Sequence, residues 1–65
     1  MMLAQRFQVG ERVCALQPIG WLSKRSQGTI TRAFFGFDTY AVCFDEAASI
    51  RVVAGYMLEH LADWA

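Results

Sequence analysis

One stretch, Thr39-Tyr40-Ala41-Val42-Cys43-Phe44-Asp45, constrains this chain more than any other. Its side chains alternate with a period of two, which is the period of a β-strand. Tyr40, Val42 and Phe44 fall on one side, Ala41 and Cys43 on the other. A strand with one face in water alternates apolar with polar residues, and this one is apolar on both faces. The chain therefore has two faces of one strand to cover. It has 65 residues with which to do so, 55% of them hydrophobic. A domain of that size buries only about 60% of the surface its unfolded chain exposes, and scaffolds this small usually rely on a disulfide, a metal or self-association.

Two of those staples are disfavoured by the sequence. Cys14 and Cys43 are the only cysteines and His60 the only histidine. The first residues hold no apolar run of the secretory kind, so free thiols in a cytoplasmic protein are expected. Two distant cysteines and one histidine do not make a metal site, and no cofactor is implied. Self-association is the staple left. Six basic and six acidic residues give a net charge of zero. Neutrality with high hydrophobicity excludes disorder. No run approaches the roughly 20 apolar residues of a membrane-spanning helix.

The remaining chain reads as short strands and turns. Met1 to Gln8 is an N-terminal leader, frayed or lying on the domain, which spans 9–62; residues 63–65 are a C-terminal tail. Val9-Gly10-Glu11 is a turn into a strand from Arg12 to Leu16. A long loop from Gln17 to Gln27 follows, with the only proline, Pro18. Gly28 to Phe35, rich in β-branched and aromatic residues, is a second strand. Gly36-Phe37-Asp38 is a connection of hairpin length. Ile50 to Val53 is the fourth strand. Gly55 breaks the chain, and Tyr56-Met57-Leu58 reads as a 3-10 turn before a last strand, Glu59 to Leu61. The competing reading is a helix from about Tyr56 to Trp64, since Leu58, Leu61 and Ala65 have helical spacing; the turn and strand are favoured. Five short strands predict an all-β fold closed into a small barrel, because closure removes exposed edges.

The order of these elements resembles the SH3-like small barrels. The matching residues are Val9-Gly10-Glu11-Arg12-Val13, Gly28-Thr29-Ile30, Tyr40-Ala41-Val42 with Phe44-Asp45, and Leu58-Glu59-His60-Leu61. The fold this implies is a five-stranded SH3-like barrel with a long first loop and a short 3-10 turn before the last strand. Within it, Gly10 to Val13, Tyr40 to Val42 and Leu58-Glu59 are similar to the plasmid- and integron-borne type II dihydrofolate reductases. That likeness implies a tetramer around a central pore and a gene carried on a mobile element. The family's pore motif, Val-Gln-Ile-Tyr, corresponds here to Ile50-Arg51-Val52-Val53, so no catalytic residue carries over. The chain is also similar to the small SH3-like subunit of photosystem I around Pro18, Gly28-Thr29 and Phe44-Asp45. Both likenesses imply a barrel that works through contacts with other chains.

Three groups of residues are candidate sites. Cys14, Ala41, Cys43 and Val53 are read as a small-residue patch packing on another subunit, because contiguous apolar surface marks interaction sites. The plainer reading is cover by the apolar leader. Trp21, Phe35 and Phe37 with Asp38 are read as a partner or ligand groove suited to a proline-rich peptide or a methylated ammonium. The plainer reading there is burial at a barrel end or an interface. Lys24, Arg25, Arg32 and Arg51 are candidate anion-binding residues, and symmetric copies of Arg51 or Arg32 would converge at an axis. A nucleic-acid binder is usually strongly basic, and this chain is not. His60 has no nucleophile beside it, and Asp45 and Glu46 are solvated neighbours in a turn.

The expected function is a cytoplasmic, self-associating binding or scaffold module, dimeric or tetrameric, with an unidentified ligand and no membrane association. A pore-type enzyme and a weak nucleic-acid-binding barrel are the alternatives, and the residues favour a protein that is not an enzyme.

Overall fold

The computed structural model describes residues 6–34, 36–46 and 49–61. The C-terminal tail, 63–65, lies outside them. Among the described residues, five antiparallel strands form a single sheet: β1 (Arg12–Ala15), β2 (Gln27–Phe34), β3 (Thr39–Phe44), β4 (Ser49–Ala54) and β5 (Leu58–His60). Their spatial order is β4-β3-β2-β1-β5. The 3-10 turn Gly55–Met57 leads directly into β5. The segment therefore takes the turn-and-strand form over the helical one, because Leu58 to His60 gain a ladder with Val13 to Ala15. No helix among the described residues is long and apolar enough to cross a membrane.

Closure into a barrel was the expectation, and the sheet is open. β4 and β5 are its two edges, with no ladder between them. The all-β class, the number of strands and the position of the 3-10 turn are as read from the sequence.

The core lies on one face of the sheet, termed the concave face, and the opposite face is termed the convex one. The alternation in β3 buries Tyr40, Val42 and Phe44 completely. Val13 and Ala15 from β1, Ile30 from β2 and Leu58 from β5 pack against them. Two elements outside the sheet complete this core. In the first loop, Ile19 and Leu22 exchange backbone hydrogen bonds of 3.0 and 2.9 Å. Gly20 lies between them at φ +58°, where a side chain would be strained. This small hairpin turns Ile19 and Leu22 inward and leaves Trp21 68% exposed at its tip.

The second element is the N-terminal segment. Residues 1–8 are expected as a leader, frayed or lying on the domain; of its described residues, Phe7 is 2% exposed and belongs to the core. Its ring meets Tyr40 edge to face at 5.2 Å and lies 4.5 Å from the His60 ring. The Arg6 N–H donates to the Tyr40 hydroxyl at 3.1 Å, and that hydroxyl donates to Asp38 at 3.1 Å. The Arg6 guanidinium closes the network on the same carboxylate.

This network makes an acid-sensitive clasp. The Arg6 hydrogen bond, with help from Tyr40, holds the Asp38 carboxyl below its ordinary value. The native state thus binds fewer protons than the unfolded chain. Its contribution is complete above the ordinary aspartate pKa, about 3.9, and is lost as pH falls through the depressed native value. Arg6 is nearly half exposed, so solvent screening keeps this contribution to about 1 kcal/mol or less. We expect Asp38→Asn to lower the urea midpoint at pH 7 and to shrink the further loss between pH 5 and acid pH. Equal acid sensitivity in wild type and variant would contradict the clasp.

β2 carries a bulge that decides what the convex side displays. Ile30 pairs with Val42, but the next pair is Arg32 with Ala41, leaving Thr31 as an extra residue. The Thr31 hydroxyl donates to the Ala41 carbonyl at 3.1 Å. Beyond the bulge the side-chain parity of β2 is inverted. Ala33 joins the core side, while Arg32 and Phe34 turn outward with their partners Ala41 and Thr39.

Candidate interaction surface

The convex face of β2, β3 and β4 follows from these registers. One row runs Thr29, Cys43, Ile50; the next Arg32, Ala41, Val52; the third Phe34, Thr39, Ala54. Ala41 is buried and Cys43 half-buried, forming a low centre. Ile50 and Val52 stand 61% and 62% exposed beside it, and Phe37, at the β2–β3 turn, is 69% exposed. Phe34, Phe37, Thr39 and Val52 enclose a shallow apolar depression of about 190 Å³. The Arg32 guanidinium lies 5.2 Å from the centre of the Phe34 ring, a cation–π placement. The face is thus a hydrophobic strip with a trough of small side chains and a ridge along β4.

The expected subunit patch is half present. Ala41 and Cys43 share this face. Val53 does not, and this corrects the sequence reading: it pairs with Tyr40, is 5% exposed and lies in the core. The outward residues of β4 are its neighbours, Ile50 and Val52. Cys14 is also set apart, since its cross-strand partners are Gln27 and Glu59. It is 2% exposed, its thiol lies 3.8 Å from the Glu59 carbonyl, and burial pushes its pKa up. A buried thiol of raised pKa is inert packing.

Of the expected aromatic groove, the described residues are Trp21, Phe37 and Asp38. Phe35 lies outside the described residues. Trp21 tips the first loop, Phe37 the β2–β3 turn, and both are exposed. Asp38, read as the carboxylate of such a cage, is already bonded by Arg6 and Tyr40. Its main chain is engaged too, accepting from the Gly55 N–H at 2.7 Å.

The four candidate cations are scattered. Lys24 and Arg25 border a cavity of about 450 Å³ whose other wall carries Asp45 and Glu46. Arg12 forms an ion pair with Asp45 and holds its carboxyl below the ordinary value. Glu46 accepts from the Ser26 hydroxyl at 3.2 Å. Carboxylates therefore offset the field of the cations here. Arg32 covers Phe34. Arg51 pairs with Val42 on the core side of β4, and its Nε has no hydrogen-bond partner. His60 lies 3.3 Å from Glu11.

No family model, curated protein or solved structure matches this chain.

Proposed function

We propose that this chain is a self-associating scaffold module, built on an SH3-like plan, whose convex β2–β3–β4 face packs against the same face of a second copy. The observation that carries the proposal is the pair Ile50 and Val52, more than 60% exposed beside Ala41 and Cys43. A face bearing both a ridge and a trough is complementary to itself under a two-fold axis, where the ridge of each copy meets the trough of the other. The zero net charge puts no overall repulsion between copies. The SH3-like plan is supported by the strand order, the long loop between β1 and β2, and the 3-10 turn before β5. Free Cys14 and Cys43 suit a reducing compartment such as the cytoplasm.

Val52→Glu tests this reading. A carboxylate set into a dry apolar interface loses its hydration without gaining a partner. We expect association to weaken by at least about 100-fold, at 1.4 kcal/mol per tenfold, with the fold kept because Val52 is exposed in the isolated chain. Light scattering at matched concentrations reads the change in mass. An oligomer unaffected by Val52→Glu would overturn the face-to-face arrangement.

A further inference from the structure

The exposed face is not the only unfinished part of β4. The strand runs six residues, Ser49–Ala54, and pairs with β3 on one side without a register shift. No strand among the described residues covers its other side. Natural edge strands are kept from pairing by prolines, lysines, bulges, shortness or an inward-pointing charge. β4 has only the last of these, Arg51. Among the described residues, two buried side-chain polar atoms lack a hydrogen-bond partner, Ser49 Oγ and Arg51 Nε. Both belong to β4, two residues apart, so both project from the same face. One is an N–H donor and the other a hydroxyl oxygen that accepts.

We infer that two copies of the chain join along their β4 edges as an antiparallel pair, with the two-fold axis at Ile50. The register follows by elimination. In such a pair the opposed residues share a face, so the axis passes through one residue of the strand. With the axis at Arg51, two guanidiniums stand directly opposite each other, which is destabilising. With the axis at Val52, Arg51 faces the partner's Val53 and Ser49 faces the partner's Gly55, and both unpartnered atoms stay unpartnered. With the axis at Ile50, Arg51 faces the partner's Ser49, and each Ser49 faces the partner's Arg51. The donor meets the acceptor twice, and Ile50 meets its own copy on the convex side. Arg51, the one feature that discourages edge pairing in general, therefore selects the single register that satisfies it.

This interface lies beyond the face proposed above and is compatible with it. An edge-paired dimer carries one continuous convex surface twice as long. Two such dimers packed face to face have two-fold axes at right angles, the symmetry of a D2 tetramer.

Disulfide trapping tests the register. Cys43 is the cross-strand partner of Ile50 in β3 and would capture a new thiol within one chain, so the scan is made in Cys43→Ser. Ile50→Cys, Arg51→Cys and Val52→Cys are oxidised in parallel, and covalent dimer is measured on a denaturing gel. We expect at least tenfold more dimer from Ile50→Cys than from either neighbour. Equal yields, or more from Arg51→Cys or Val52→Cys, would overturn this register. Amide exchange of the unmodified chain gives a second reading that needs no variant. Edge pairing slows the amides on both sides of β4, whereas fast exchange of those pointing away from β3 would overturn it. An oligomer sensitive to Val52→Glu but fast-exchanging at this edge retains the face and rejects the edge. Trapping at residue 50 in an oligomer indifferent to Val52→Glu does the reverse.

Discussion

Phe7→Ala is expected to cost about 3–5 kcal/mol, the usual range for removing a buried phenyl ring. The whole stability of a domain this size is only about 3–10 kcal/mol, so the variant loses a large fraction of it. Phe7 is 2% exposed and fills the space between Tyr40 and His60. It joins an element outside the sheet to strands β3 and β5, so its loss opens a cavity that the strands cannot collapse into without bending. The adjacent Arg6–Asp38–Tyr40 bonds would not compensate, because Arg6 is nearly half exposed. Urea denaturation followed by circular dichroism measures the cost. A loss under about 1 kcal/mol would mean that the segment does not close the core, since exposed sites usually change stability by less than this.

The second large effect is at Gly28. Its cross-strand partner is Phe44. A Cβ built at Gly28 would fall 2.8 Å from the Cys43 carbonyl oxygen, 2.8 Å from Val42 Cγ1 and 3.1 Å from the Phe44 Cα. Two of those three atoms are main chain and cannot move without opening the β2–β3 ladder. Two effects of Gly28→Ala oppose each other. Alanine restricts the unfolded chain and so stabilises by about 0.4–1 kcal/mol. Overpacking a filled core costs about 1–3 kcal/mol. The steric term wins because the neighbouring backbone is held in the middle of the sheet, and a net loss of about 1–2 kcal/mol is expected. A denaturation midpoint equal to or above wild type would contradict this.

What the sequence made legible depends on how local the cause is. The β3 alternation is a property of five adjacent residues, and it predicted the faces of that strand correctly. The 3-10 turn and last strand followed from Gly55, where a Cβ would fall inside the Asp38 carboxylate. Three other features depend on partners that no short window contains. In β4, Val52 and Val53 are chemically equivalent, and pairing with Tyr40 alone sends Val53 to the core. In β2, one extra residue at Thr31 inverts the outward side chains and brings Arg32 and Phe34 to the convex face. Phe7 precedes a turn signal without periodic neighbours, so its burial is settled by the cleft it enters. The open sheet has the same origin. The general cost of exposed edges favours closure, but whether β4 meets β5 or another chain depends on long-range geometry.

The candidate surface inherits that split. Ala41 and Cys43 were legible because β3 is apolar on both sides. Ile50 and Val52 were missed as its exposed members, although Cys43 and Ala41 are their register partners. The signal that would have found them is the parity of β4 relative to Tyr40. Part of the apolar excess of the sequence thus has a place in the molecule: Phe37, Ile50 and Val52 stand exposed on the convex face.

Sedimentation equilibrium of the unmodified chain over a range of concentrations tests the central claim most directly. The mass of one chain is 7.3 kDa. We expect at least twice that mass at micromolar concentration, with Val52→Glu lowering it. A mass of 7.3 kDa at every concentration up to the millimolar range would contradict it.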